Sequence, residues 1–251
     1  MDSFILCATP RSGSTLLCEL LTATGVAGRP DSFFMQDPGA EWERAWGVPP
    51  AKGEGTPAHA RAFLQAARKA GRGASPVFGL RLMQRDLGRL LALTALAHPG
   101  LPGDLARLTA AFGETLFIHL TRDDKLAQAV SRVKAEQTGL WHRAPDGTEI
   151  ERLSPPAPPR YDPARIAEVL AELEHGDAAW QAWFTAQGIT PLRLTYQALA
   201  ADPAAEVARL CAALGRNLPP GLDLRPPVAP LADATNADWI ARFKADRVTR
   251  G

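Results

Sequence analysis

Phe4-Ile5-Leu6-Cys7-Ala8 runs without a polar residue into Thr9-Pro10-Arg11-Ser12-Gly13-Ser14-Thr15, and Leu16, Leu17, Leu20 and Leu21 follow at helical spacing. A short apolar run bounded by turn residues reads as a strand buried on both faces, and the leucines after it as the inner face of a helix. The segment is therefore strand, loop, helix. A turn of that kind exposes unpaired backbone N–H groups and the positive end of the helix dipole, which together suit an anion such as phosphate.

Outward from it the same alternation recurs. Val77 to Leu82 reads as a second strand, with Leu87, Leu90 and Leu91 on a following helix. Thr115 to Leu120 reads as a third, followed by a helix from about Lys125 that turns Leu126, Ala129, Val130 and Val133 inward. Ile166, Val169, Leu170 and Leu173, prolonged by Trp180, Trp183 and Phe184, predict a long helix. Leu192, Leu194 and Tyr196 alternate with polar residues as a fourth strand, and Val207, Leu210, Cys211 and Leu214 predict one more helix. Strands alternating with helices imply an α/β fold with a mainly parallel sheet covered on both faces. Between about His142 and Asp162, Pro145, Pro155, Pro156, Pro158 and Pro159 predict a long surface loop. With 251 residues and 46% hydrophobic content, the chain reads as a single domain over residues 1–251.

Twenty-eight Lys and Arg against 27 Asp and Glu leave no global field to hold a nucleic acid or an anionic membrane. Any anion site must be local. No apolar run approaches a membrane span, and no basic leader precedes the first strand, so a cytoplasmic protein is expected. Cys7, Cys18 and Cys211, odd in number and without CxxC spacing, read as reduced, buried residues. Five histidines show no paired-ligand spacing, and no metal site is expected.

The loop decides the chemistry. Gly13 lets backbone approach an anion closely, Ser12, Ser14 and Thr15 add hydroxyls, and Arg11 adds charge. A Walker A loop needs a Lys directly after its last Gly, and Ser14 stands there. The plainer reading is a capped helix start. A second anion signal argues against it: Thr121-Arg122-Asp123-Asp124 ends the third strand, and Ser131 lies on the next helix. Arg122 and Ser131 together can meet one phosphate at the carboxyl edge of the sheet, where such folds bind ligands, although Arg122 could also pair with Asp123 or Asp124.

These residues resemble the bacterial trehalose 2-sulfotransferase-type family of PAPS-dependent sulfotransferases. The likeness runs through PRSGSTLLCELLTATGVAGRP (Pro10 to Pro30), LTRDDKLAQAVS (Leu120 to Ser131), Gln137-Thr138, Trp141, Trp180-Gln181-Ala182-Trp183-Phe184 and Asp238-Trp239-Ile240-Ala241-Arg242-Phe243. It implies a P-loop-like fold and in-line sulfuryl transfer from PAPS, leaving PAP, to a small-molecule hydroxyl such as a carbohydrate's, without a metal. On this reading Arg11, Ser12, Gly13, Ser14 and Thr15 hold the 5′-phosphosulfate, Arg11 also stabilising the transferred group. Arg122 and Ser131 hold the 3′-phosphate, and the protein is a homodimer.

The sequence departs from the family where a Glu is expected as general base. Gly28-Arg29-Pro30-Asp31-Ser32-Phe33-Phe34 places Ser32 there, and a hydroxyl cannot take a proton from an alcohol near neutral pH. Asp31 is the candidate substitute, the alternative being a turn cap. Arg29 replaces an acidic residue expected to touch the sugar, so an acceptor other than trehalose is expected. Arg29 and Arg81 would favour an acidic acceptor unless they are surface or ion-paired side chains. Ser32 and Trp141 complete the candidate acceptor residues. Two rival functions remain: a small-molecule kinase, disfavoured by the missing Walker lysine, and a non-catalytic PAP or PAPS binder that kept the loop and lost the base.

Overall fold

In the computed structural model, residues 1–35, 39–49, 55–229 and 231–250 are described. Strand β1 (Ser3–Ala8) leads into α1 (Ser14–Ala23); α2 (Gly39–Trp46) and α3 (Pro57–Arg72) precede β2 (Phe78–Met83). A turn of 3-10 helix, Gln84–Asp86, opens α4 (Leu87–Ala97), followed by α5 (Gly103–Phe112), β3 (Thr115–Thr121) and α6 (Lys125–Thr138). Next come β4 (Leu140–Arg143), β5 (Glu149–Arg152), α7 (Pro163–Gln187) and β6 (Leu192–Thr195), then α8 (Tyr196–Ala201), α9 (Pro203–Ala213) and α10 (Ala234–Arg250).

Four parallel strands form the central sheet in the order β2-β1-β3-β6. The register explains the position of the site. Ala8 pairs with Met83 on one side and Leu120 on the other, so the residues that follow all three strands emerge at one edge. Strand β1 is buried along its whole length. Its alternate side chains feed two cores, Ile5 and Cys7 on one face and Phe4, Leu6 and Ala8 on the other, which is why the run needs no polar residue. Of these, Phe4, Ile5 and Leu6 each contribute about 1.5–3 kcal/mol on burial.

Helix α7 begins where Asp162 caps the backbone N–H of Arg165 and Pro163 opens the first turn, and it ends at left-handed Gly188. Trp180 is fully buried and donates its indole N–H to the Ala8 carbonyl at 3.0 Å, tying the helix to the end of β1. Gly176 allows a close approach: a Cβ there would lie 2.9 Å from Thr9 Cγ2. The three cysteines are buried and unpaired. Among the described residues, no helix is long and apolar enough to cross a membrane.

Two expectations need correction. The stretch 142–162 is not all loop, because β4 and β5 form an antiparallel hairpin joined by a turn over 144–148, leaving 153–162 as the irregular segment after it. Pro145 falls in the turn, closed by Ala144 N–H to the Thr148 carbonyl at 2.8 Å, and the other prolines follow β5, so none breaks the ladder. Tyr196 does not end β6 but opens α8, because the Thr195 hydroxyl accepts from Ala198 N–H and caps a new helix.

Candidate active site at the carboxyl edge of the sheet

The loop after β1 is shaped by two left-handed residues, Arg11 at φ 64° and Gly13 at φ 91°. Positive φ is strained for an arginine and free for glycine. Gly13 is also hemmed by Tyr196, whose Cδ2 would lie 2.6 Å from a Cβ at that position. Helix α1 starts with no side-chain cap and no acidic residue in its first turn, so no side chain of that turn offsets the positive end of its dipole. Ser12 Oγ is buried without a hydrogen-bond partner among the described residues. A buried hydroxyl left unpaired costs about 1–3 kcal/mol, which an incoming oxyanion would recover.

Arg11 does not point away into solvent. Its Nε donates to Ser131 Oγ at 3.1 Å and its Nη1 to the Trp141 carbonyl at 2.6 Å, so the loop, α6 and the β4–β5 hairpin meet at one guanidinium. Burial, and then the charge of nearby Arg122, push the Arg11 pKa down to about 10, which leaves it charged at neutral pH. Arg122 lies with its guanidinium 4.7 Å from the centre of the Tyr196 ring, and its Nη1 reaches the Arg11 carbonyl at 3.5 Å. Its Nε is buried without a partner among the described residues. The alternative pairing of Arg122 with Asp123 or Asp124 does not occur among the ion pairs of the described residues. Arg11 and Arg122 lie near enough for the charge of one to act on the other, with Glu151 acting on Arg11 in the opposite sense, and a corner with two such guanidiniums attracts anions.

A second cluster forms around Arg81 on β2. The segment after Pro30 runs beside that strand, with an isolated bridge between Asp31 and Leu80. Arg81 donates from Nε to Ser32 Oγ at 2.8 Å, from Nη1 to Thr15 Oγ1 at 2.8 Å and from Nη2 to Asp31 Oδ1 at 3.1 Å. Asp31 Oδ1 also accepts from Ser32 N–H at 2.7 Å. Arg81 is thereby committed within the protein and is not a loose cation for an acidic acceptor. Arg29 lies outside both clusters: it is exposed, its backbone N–H bonds the Gly71 carbonyl, and its stem packs beside Gly73.

Several site residues were not singled out by the sequence. His142 Nε2 lies 3.0 Å from Thr15 Oγ1 and 3.3 Å from Glu151 Oε2, and burial followed by the charges of Arg11 and Arg81 lowers its pKa from 6.5 to about 4. Gln128 is fully buried and donates to Thr9 Oγ1 at 3.1 Å and to the Pro10 carbonyl at 2.7 Å. Thr9 in turn donates to Asp177 on α7 at 3.2 Å, and Asp177 pairs with Lys125. This network fixes the entry to the loop from α6 and α7. Tyr196 supports Gly13 and Arg122 together. Asp124 caps the start of α6 by accepting from the Ala127 N–H, a local signal for the helix that carries Gln128 and Ser131. Among the described residues, no cluster of His, Cys, Asp and Glu could hold a metal ion.

A family model described as Stf0 sulphotransferase matches residues 3–246. The chain is 32% identical over 261 residues to a "Trehalose 2-sulfotransferase" of Mycobacterium tuberculosis (strain ATCC 35801 / TMC 107 / Erdman), covering 97% of this chain and 94% of that protein. It is 30% identical over 262 residues to a protein of the same name from Mycolicibacterium smegmatis (strain ATCC 700084 / mc(2)155), covering 97% and 95%. A solved structure titled "Sulfotransferase Domain from the Synechococcus PCC 7002 Olefin Synthase" aligns with a TM-score of 0.44 at 16% identity, covering 97% of this chain and 86% of that one.

Proposed function

The chain belongs to the Stf0 sulphotransferase family, and from that premise we propose that it transfers a sulfuryl group from PAPS to a hydroxyl of a carbohydrate or similar small molecule. The observation that carries the donor assignment is the buried, unpartnered Ser12 hydroxyl, set between Arg11 and Gly13 at the start of an uncapped helix. Ser12, Gly13, Ser14 and Thr15 would surround the 5′-phosphosulfate with backbone and hydroxyl donors. Arg11, reaching from the loop to Ser131, would stabilise charge on the transferring group and lie between the two anionic ends of the nucleotide. Arg122 and Ser131 would take the 3′-phosphate, with the unpaired Arg122 Nε as one donor.

Such a site works by positioning and by charge preorganised away from water, as in phosphoryl transfer. Tyr196 holds Gly13 and Arg122 in place, and the Thr9, Gln128 and Asp177 network holds the loop. The acceptor would be a neutral hydroxyl compound, because Arg81 is engaged by Asp31, Ser32 and Thr15 and Arg29 lies outside the clusters. Trehalose, named for both relatives, is expected to be a poor acceptor where Ser32 replaces the expected carboxylate. Trp141, half-buried beside Arg11, would border the acceptor.

The family resemblance supports a homodimer, and buried reduced thiols fit the cytoplasm, where PAPS would be the donor. The loss of the expected carboxylate is the specific feature favouring the second reading, a PAP or PAPS binder without transfer. Incubating the protein with PAPS and a panel of trehalose, glucose, glycerol and inositol, and following PAP release and sulfated product by mass spectrometry, separates them. Product with any hydroxyl compound supports the enzyme; tight PAP binding with no product from any acceptor supports the binder.

A further inference from the structure

Ser32 occupies the place of the expected base, and its hydroxyl accepts from Arg81. Proton removal must fall to another group. Asp31, the candidate substitute, is adjacent, and its Oδ1 accepts from the same guanidinium and from the Ser32 N–H. A third titratable side chain enters this cluster from a different element. The β4–β5 hairpin delivers His142 to Thr15, the last residue of the donor loop, with Nε2 3.0 Å from the Thr15 hydroxyl. Thr15 also accepts from Arg81, so the imidazole stands where the donor loop and the Arg81–Ser32 pair join.

The hairpin register pairs His142 with Glu151, whose Oε2 lies 3.3 Å from Nε2. A carboxylate at that distance favours the tautomer with the proton on Nε2, which leaves Nδ1 as the basic nitrogen. Among the described residues, no protein group hydrogen-bonds Nδ1. A base oriented by a carboxylate beside the reacting loop is a recurrent arrangement for activating hydroxyls.

We propose that His142, oriented by Glu151, is the general base of the transfer and does the work of the missing carboxylate; the proposal rests on the sulfotransferase reading above. The acceptor hydroxyl gives its proton to Nδ1 while its oxygen forms the new bond to sulfur. The bond from sulfur to the bridging phosphate oxygen breaks, and PAP leaves with that electron pair. The imidazolium, stabilised by Glu151, then loses its proton to water.

The charges facing the ring make this base depend on the donor. Arg11 from the loop and Arg81 from β2 oppose its protonation, Glu151 from β5 favours it, and Asp31 offsets part of Arg81. The phosphosulfate brings negative charge to the same arginines. Donor binding therefore raises the basicity of His142 when an acceptor is to be deprotonated.

Nitrogen NMR of histidine-labelled protein, with H142Q used to assign the signal, tests this without an acceptor. The expected result is an Nε2–H tautomer at neutral pH and a titration midpoint that rises by roughly one unit or more when PAP is added. In parallel, PAPS consumption with the best acceptor of the panel, or with water if none reacts, is compared in wild type and H142Q. At saturating PAPS, H142Q should slow turnover by about 10²–10⁴-fold, the range for a general base, and steepen its dependence on pH. An Nδ1–H tautomer, a midpoint indifferent to PAP, or H142Q turning over at the wild-type rate would each overturn the proposal. Loss of turnover in D31N with H142Q unimpaired would return the role to Asp31. Absence of PAP binding in wild type would instead refute the donor reading.

Discussion

Replacing Arg81 by methionine keeps the aliphatic stem and removes the guanidinium that holds Ser32, Thr15 and Asp31. Hydrogen bonds from a charged donor are worth about 1.5–3 kcal/mol each when buried. The Asp31 partner must be discounted, since its side chain is 48% exposed and such pairs contribute about 0–1 kcal/mol. The two hydroxyl contacts remain, and because they share one side chain they do not add fully. The expected loss is therefore about 2–4 kcal/mol, and at about 2–4 °C per kcal/mol for a chain of this size the melting temperature should fall by roughly 5–15 °C. Arg81→Lys should recover less than half of the loss, because one ammonium cannot span three partners set for a planar fork. Differential scanning calorimetry on the three proteins reads this directly. A fall under about 1 °C for Arg81→Met would mean that the cluster stores no stability, and the account of how Asp31 and Ser32 are positioned would fail.

Gly13→Ala places a Cβ into left-handed backbone and against Tyr196, so we expect about 1–3 kcal/mol of destabilisation and weakened PAP binding, read by thermal melting and calorimetry. His119 is buried on β3 with neither ring nitrogen hydrogen-bonded among the described residues. His119→Leu should stabilise the protein by about 1–2 kcal/mol, measured by urea unfolding, and a loss would mean that the ring has a partner in solution. Burial lowers the pKa of His119 and lowers that of His142 to about 4. A depressed histidine contributes stability that is fully present above the unfolded value near 6.5 and lost as pH falls. Urea midpoints should accordingly drop between pH 6.5 and 4, and less so in H142Q.

The sheet was legible because β1, β2 and β3 are short apolar runs ending in polar turns, and α6 and α7 carry their buried residues at helical spacing. The hairpin was hidden because β4 and β5 are short, only partly buried, and flanked by prolines that mark a loop when read without pairing partners. The candidate loop after β1 stood out for a local reason: its glycine, hydroxyls and arginine are contiguous. His142, Gln128, Asp177 and Tyr196 enter the site from other elements, and their roles arise from contacts that no local spacing encodes. Arg81, read from the sequence as a candidate acceptor contact, also makes three hydrogen bonds that join Thr15, Asp31 and Ser32, contacts that no local spacing encodes.

The most direct measurement is calorimetric binding of PAP and ATP to wild type and Arg11→Ala, with and without Mg²⁺. The account predicts metal-independent PAP binding that Arg11→Ala weakens by about 1.5–3 kcal/mol, the scale of a charged hydrogen bond. Mg²⁺-dependent ATP binding with no affinity for PAP would contradict it and favour a kinase.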